Sequence, residues 1–118
     1  MKESGEMYLE TILVLSGKKD RVRAIDIVED MNFSKPSVSR ALAKLREEGC
    51  VCVDGNGTIT LTARGKQIAE KIYERHDVLS RVLVRLGVSE ETAKADACKM
   101  EHDISDESFN AIKKVLRE

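Results

Sequence analysis

Apolar residues recur along this chain at spacings that change from helical to strand-like and back. In EMYLETILVL, residues 6–15, Tyr8, Ile12 and Leu15 fall on one stripe at helical spacing. SGKKD at 16–20 interrupts it, and a second helical stretch follows with Ala24, Ile27, Val28 and Met31 in phase. Asn32 and Phe33 lead into SKPSVSRALAKLREEG, residues 34–49. There Ser34 suits an N-cap, Pro36 lies in the first turn where its missing N–H costs nothing, and Gly49 suits the stop. Val38, Ala41, Leu42 and Leu45 form the buried stripe of this third helix, and Lys35, Ser37, Ser39, Arg40 and Lys44 its polar face. CVCVDGNGTITLT then alternates on either side of DGNG, which predicts a β-hairpin whose Asp-Gly and Asn-Gly supply the positive φ of a tight turn. From Ala63 to about Leu86 a long helix is predicted, carrying Ile68, Ile72, Leu79, Val82, Leu83 and Leu86. GVSEET breaks it, Ser89 caps a helix holding ACKMEH at 97–102, and a last helix after Ser105 presents Phe109, Ile112, Val115 and Leu116.

Helix, turn, helix, hairpin, helix is the order of a winged helix-turn-helix. The expected fold is mainly α: a winged helix-turn-helix DNA-binding domain over 1–62, followed by a helical domain over 63–118, to which the resemblance given below assigns dimerisation and metal binding. The short turn orients the third helix so that its polar face can enter a major groove of double-stranded DNA. Ser34, Lys35, Pro36, Ser37, Ser39, Arg40 and Lys44 are the residues expected at that surface, with Arg40 suited to a guanine and the serines permitting close approach. Asn56 would place the wing along the backbone. The same fold used only for protein contact is the alternative.

Charge changes the picture only when divided by region. The total is −1, yet residues 17–75 carry twelve Lys/Arg against nine Asp/Glu, while the flanks are acidic. Aromatics make up 3%, so the core has to be built from Val, Ile, Leu and Ala. The second half offers more apolar helix face than it can bury within itself, and a homodimer is the economical solution. No apolar run approaches a membrane span and no signal-peptide pattern opens the chain, so no membrane partner and a cytoplasmic location are expected. Cys50, Cys52 and Cys98 make no disulfide framework. Cys50 and Cys52, two apart on one strand, are expected to share a face. No Gly-rich phosphate loop and no nucleophile–base pair points to an enzyme.

ACKMEH puts Cys98, Glu101 and His102 on one helical face, a soft, a hard and a borderline donor together. By spacing alone this is either a metal site or a solvated helix surface. Met7 alone reads as core filling, His76 as a surface residue and Cys98 as a small buried one.

The chain as a whole resembles the metal-dependent repressors of the diphtheria toxin repressor family, which includes the manganese transport regulators. The resemblance is carried by EMYLETI at 6–12, SKPSVSRALAKLREEG at 34–49, LTARGK at 61–66, ERHDVL at 74–79 and ACKMEHDISDE at 97–107, in the family's order. It implies a winged-helix domain joined to a helical dimerisation domain, with a divalent metal as corepressor. Longer members continue into a C-terminal barrel, so the chain reads as a short form. The resemblance adds Met7, Glu10 and His76 to Cys98, Glu101 and His102, six donors that suit an octahedral site with water or two adjacent ions. Met7 and Cys98 match the toxin-repressor type; the manganese type has carboxylates there but shares the Glu at position 10. Sulfur donors bias such a site toward Fe²⁺ over Mn²⁺, with Zn²⁺ or Co²⁺ also able to bind. Of the family's second site only His76 remains here. Ser80 and Lys94 replace a Glu and a His, and Lys94 is expected to pair with Asp77 or Glu101. That site is expected to be absent, or rebuilt around His76 and Glu10. The implied function is a metal-dependent repressor of metal homeostasis genes, binding DNA as a homodimer with Fe²⁺ or Mn²⁺. The rivals are a metal-independent regulator with Cys98 as a thiol switch, and a protein-binding adaptor.

Overall fold

The computed structural model describes residues 3–117. Along these run α1 (Glu3–Lys18), α2 (Ala24–Met31), α3 (Lys35–Glu47), β1 (Val51–Val53), β2 (Ile59–Leu61), α4 (Ala63–Arg85), α5 (Glu90–Met100) and α6 (Asp106–Val115). Two compact units divide the chain within α4, the first ending at Glu70 and the second beginning at Lys71.

In the first unit, α1 packs against α2, α3 and β2. Facing several neighbours, it buries a wider arc than the sequence stripe, adding Leu9 to Tyr8, Ile12 and Leu15. Ile27, Val38, Leu42, Leu45, Val51 and Ile59 complete that core. Asn32, in the left-handed conformation at φ 56°, ends α2, and three residues later α3 has begun. The Ser34 side chain accepts the Ser37 N–H at 3.3 Å, and Pro36 lies in the first turn, as the sequence predicts.

The strands pair antiparallel with Val51 opposite Leu61 and Val53 opposite Ile59. The Val22 carbonyl accepts the Ile59 N–H at 2.8 Å, fastening the α1–α2 connection to the wing. Two expectations are corrected here. Cys50 lies before β1, not in it. Gly49 takes φ +74° and the Cys50 N–H donates to the Leu45 carbonyl, so Cys50 tucks under the end of α3 and is buried while Cys52 is exposed. The two cysteines do not share a face. In DGNG only Gly57 has positive φ; the Asp54 carboxylate does the rest, accepting the N–H groups of Asn56 at 2.8 Å and Thr58 at 2.9 Å.

Those two bonds, Thr58 first, hold the Asp54 carboxyl below the usual carboxylate range. A carboxyl depressed in the folded state stabilises above its unfolded pKa, near 4, and that contribution fades as pH falls through the lower folded value. The wing turn is therefore expected to be fully ordered at neutral pH and to loosen only in acid. Amide exchange at Asn56 and Thr58 checks this: Asp54→Ala should lower their protection, relative to the intrinsic exchange rate, at pH 7 to the level wild type reaches only in acid.

In the second unit, Val78, Val82 and Phe109 form a small core with Ile104, Ile112 and Leu116 packed on it, and Ala93 and Ala97 bury α5. Ser89 and Ser105 cap α5 and α6, accepting from Thr92 N–H and Ser108 N–H. Leu86 departs from the expected α4 stripe. The helix ends at Arg85, and Leu86, 72% exposed, stands in the turn into Gly87 at φ +106°. Tyr73, Val84 and Val115 are exposed as well. No helix among the described residues is long and apolar enough to cross a membrane.

Candidate metal centre

His76 stands on α4, and its Nδ1 lies 2.9 Å from Glu101 Oε2 and 3.7 Å from Cys98 Sγ. The ligand atoms of His76, Cys98 and Glu101 all fall within 4.8 Å of one another. Donors about 2.0–2.3 Å from a shared ion are separated by distances of this order, so one ion can span the group.

The local structure differs from one continuous helix through ACKMEH. α5 stops at Met100, and Glu101 is its C-cap, still at φ −60° and ψ −26°. Cys98 and Glu101 thereby keep the i, i+3 adjacency that the sequence predicts. His102 lies beyond, where the chain turns, with its side chain buried and its Nε2 3.4 Å from the other Glu101 oxygen. Glu101 is itself 1% exposed. A solvated helix surface is thus the wrong description: a buried carboxylate stands against two imidazoles, with a thiol at its edge. Such a carboxylate requires compensating positive charge. Oxygen, nitrogen and sulfur donors gathered around it fit a divalent transition metal.

Met7 and Glu10 lie on α1 in the first unit, off the buried stripe, Met7 at 37% exposure and Glu10 half-buried. Met7 is not a core filler. On α3 and the wing, Ser34, Lys35, Pro36, Ser39, Arg40, Lys44 and Asn56 are exposed. Ser37 is half-buried, its hydroxyl accepting from the Ser34 hydroxyl at 2.9 Å and from Arg40 Nη2 at 3.5 Å. At the second-site positions, Ser80 and Lys94 line a shallow depression with Asp77, Arg81 and Glu90. The partners expected for Lys94 are engaged elsewhere: Asp77 pairs with Arg81 at 3.6 Å, and Glu101 with its histidines. Sequence reasoning overlooked Arg75, whose buried guanidinium reaches the Glu101 carbonyl. The signal was present, since Arg75 takes an apolar slot in the series Ile68, Ile72, Leu79, Val82.

The chain is similar to known proteins along nearly all of its length. Two family models match: iron dependent repressor, N-terminal DNA binding domain, over residues 1–58, and iron dependent repressor, metal binding and dimerisation domain, over 62–118. The transcriptional regulator MntR of Escherichia coli is 33% identical over 106 residues, 90% of this chain and 68% of that protein. An uncharacterized HTH-type transcriptional regulator of Methanocaldococcus jannaschii is 34% identical, covering 96% of this chain and 92% of its own. The iron-dependent repressor IdeR of Mycobacterium leprae is 31% identical over 97% of this chain and 50% of that protein. Among solved structures, the manganese regulator SloR superposes with a TM-score of 0.85 at 29% identity, covering 96% of this chain and 53% of that one. A manganese-dependent transcriptional repressor in complex with manganese gives 0.86 at 30%, covering 96% and 52%. The chain thus spans about half the length of these solved regulators. With both domain models matched along nearly all of its length, the chain belongs to the iron-dependent repressor family, a family of metal-dependent transcriptional repressors and not of enzymes.

Proposed function

We propose that this chain is a metal-gated repressor of metal homeostasis genes, acting on double-stranded DNA as a homodimer, with Fe²⁺ preferred over Mn²⁺. The observation that carries the reading is the convergence of His76, Cys98 and Glu101 around a buried carboxylate. His102 extends that donor set through Glu101, and the resemblance adds Met7 and Glu10. Cys98 is the reason for preferring iron, because a thiolate favours the later, softer divalent metals over Mn²⁺. A divalent ion bound there would be held by the buried Glu101 carboxylate. His76 and His102 orient that carboxylate from either side, and Cys98 closes the edge that faces solvent.

Repression needs the centre to act on the reader. Met7 and Glu10 belong to α1, whose buried face is part of the core that seats α3. A donor set that includes them makes the placement of α3 depend on occupancy. An effector shifts such an equilibrium only by its differential affinity, on the order of 1–3 kcal/mol. Tyr73, Val84, Leu86 and Val115 supply exposed apolar surface for a second copy to cover. A two-fold dimer then presents its two α3 helices to half-sites about one DNA turn apart, roughly 34 Å. The exposed polar face of α3 and the wing provide the DNA contacts, and the cytoplasm is the compartment that suits that partner.

An anaerobic Co²⁺ titration of wild type and Cys98→Ser tests the centre. We expect a saturable thiolate-to-cobalt absorbance band in wild type, its loss in the variant, and DNA binding stimulated more by Fe²⁺ than by Mn²⁺. Cobalt binding without the band would remove Cys98 from the ligand set and move Mn²⁺ ahead. No cobalt binding would end the metal reading. The exposure of Cys98, with Sγ 3.7 Å from an imidazole, supports one rival, a thiol switch. Peroxide-sensitive DNA binding indifferent to divalent ions would select it.

A further inference from the structure

Arg75 is 6% exposed, on the face of α4 where Ile72, Leu79 and Val82 are buried. Nη1 donates to the carbonyls of Glu101 at 3.3 Å and Ile104 at 2.6 Å, and Nη2 donates to the Asp106 carboxylate. The guanidinium carbon lies 5.4 Å from the centre of the Phe109 ring, and Nε has no hydrogen-bond partner among the described residues. The ion pair alone does not account for a charge in this slot. Its one carboxylate, on Asp106, is 69% exposed and shared with Lys71 at 3.2 Å, so that ion pair by itself repays little of the desolvation of Arg75.

What the acceptors have in common is the connection from α5 to α6. The last carbonyls of a helix lack partners within it, and α5 ends without a glycine to fold the chain back on them. Arg75 supplies donors there, at the residue that carries the carboxylate of the metal centre. Its neighbour on α4 is His76. Consecutive side chains on a helix diverge by about 100°, so Arg75 and His76 reach Glu101 from two directions. Arg75 takes the backbone carbonyl and His76 the carboxylate. One helix therefore grips both ends of Glu101.

We propose that Arg75 is a positioning residue for the metal centre: by fixing the Glu101 carbonyl and the turn through Ile104, it aims the Glu101 carboxylate at His76 and Cys98. This rests on the metal reading above. Outer-shell partners of this kind typically change metal affinity about 10–100-fold.

The test is anaerobic Co²⁺ titration of wild type, Arg75→Gln, Arg75→Lys, Glu101→Gln and the Arg75→Gln/Glu101→Gln double variant, with the saturated spectrum recorded for each. Arg75→Gln should weaken Co²⁺ binding at least tenfold and shift the ligand-field bands, while the Cys98 charge-transfer band persists. In the Glu101→Gln background the same change should cost less than a further twofold, because its effect runs through that carboxylate. Arg75→Lys, which keeps the charge but cannot serve two carbonyls and Asp106 together, should fall between; should Arg75→Gln fail to fold, Arg75→Lys takes its place in the cycle. A purely structural role would lower the thermal midpoint while leaving the saturated spectrum unchanged, or would give losses that add in the double variant. Either result overturns the proposal while the metal reading stands. If wild type binds no Co²⁺, both fall.

Discussion

Gly65→Ala is expected to destabilise the protein by about 3 kcal/mol, lowering the thermal midpoint by roughly 10 °C. Gly65 lies in the first turn of α4, where its N–H donates to the Thr62 hydroxyl at 3.2 Å. That hydroxyl in turn donates to the Gly49 carbonyl at 2.6 Å, and the Thr62 N–H donates to the Cys50 carbonyl at 3.0 Å. The start of α4 is thereby drawn onto the segment between α3 and the wing. A Cβ on residue 65 would stand 2.0 Å from the Cys50 carbonyl oxygen and 2.9 Å from its carbon. These are backbone atoms, so no rotamer change relieves the overlap, and the helix start or the strand entry has to move. Calorimetry and urea unfolding of the two proteins measure the loss. A change below 0.5 kcal/mol would show that the contact is looser than this geometry describes. Gly17, Gly49, Gly55, Gly57 and Gly87 have no heavy atom within 4 Å of such a Cβ, so crowding of this kind is special to position 65 among them.

The second large effect is expected at Glu101. Glu101→Gln should weaken divalent metal binding by about a hundredfold or more, beyond what outer-shell changes cost, and abolish metal-stimulated DNA binding while the dimer persists. The amide keeps the volume and one oxygen but loses the charge, and it offers an N–H₂ toward an imidazole where the carboxylate offered an acceptor. One carboxylate oxygen lies 2.9 Å from His76 Nδ1 and the other 3.4 Å from His102 Nε2. Isothermal titration with Mn²⁺ and Co²⁺, alongside DNA binding and sedimentation, separates the outcomes. Retained metal stimulation in Glu101→Gln would mean that the ion sits elsewhere. A lost dimer would mean that Glu101 serves the fold first.

The features legible in the sequence are those decided within a few residues. The Ser34, Ser89 and Ser105 caps, Pro36 in the first turn of α3 and Gly49 at its end each depend on local backbone groups alone, and all stand where the pattern predicts them. The hairpin around DGNG is likewise local, although the carboxylate of Asp54 contributes more to it than the first glycine. The polar face of α3 follows from its apolar stripe. Within the candidate site, the i, i+3 adjacency of Cys98 and Glu101 was readable as geometry, and the family resemblance added His76, whose imidazole the fold places against both.

Tertiary structure decided what depends on docking across long separations. His76 and Glu101 are 25 residues apart, and Arg75 and Asp106 are 31. The apolar series around Arg75 signals that it faces inward, but nothing local says that it holds the end of another helix. The burial of His102, the end of α5 at Met100 and the separate fates of Cys50 and Cys52 have the same origin. Each depends on where a turn sets the chain against another element, and a shift of one residue there changes which side chain meets solvent. The sequence by itself determined the elements and the inventory of donors, because helix caps, periodicity and turn chemistry act over a handful of bonds. Only the packing of α4 against α5 and the turn beyond it decided that a thiol, an imidazole and a buried carboxylate share one small volume, because that convergence exists only once distant segments have exchanged water for each other.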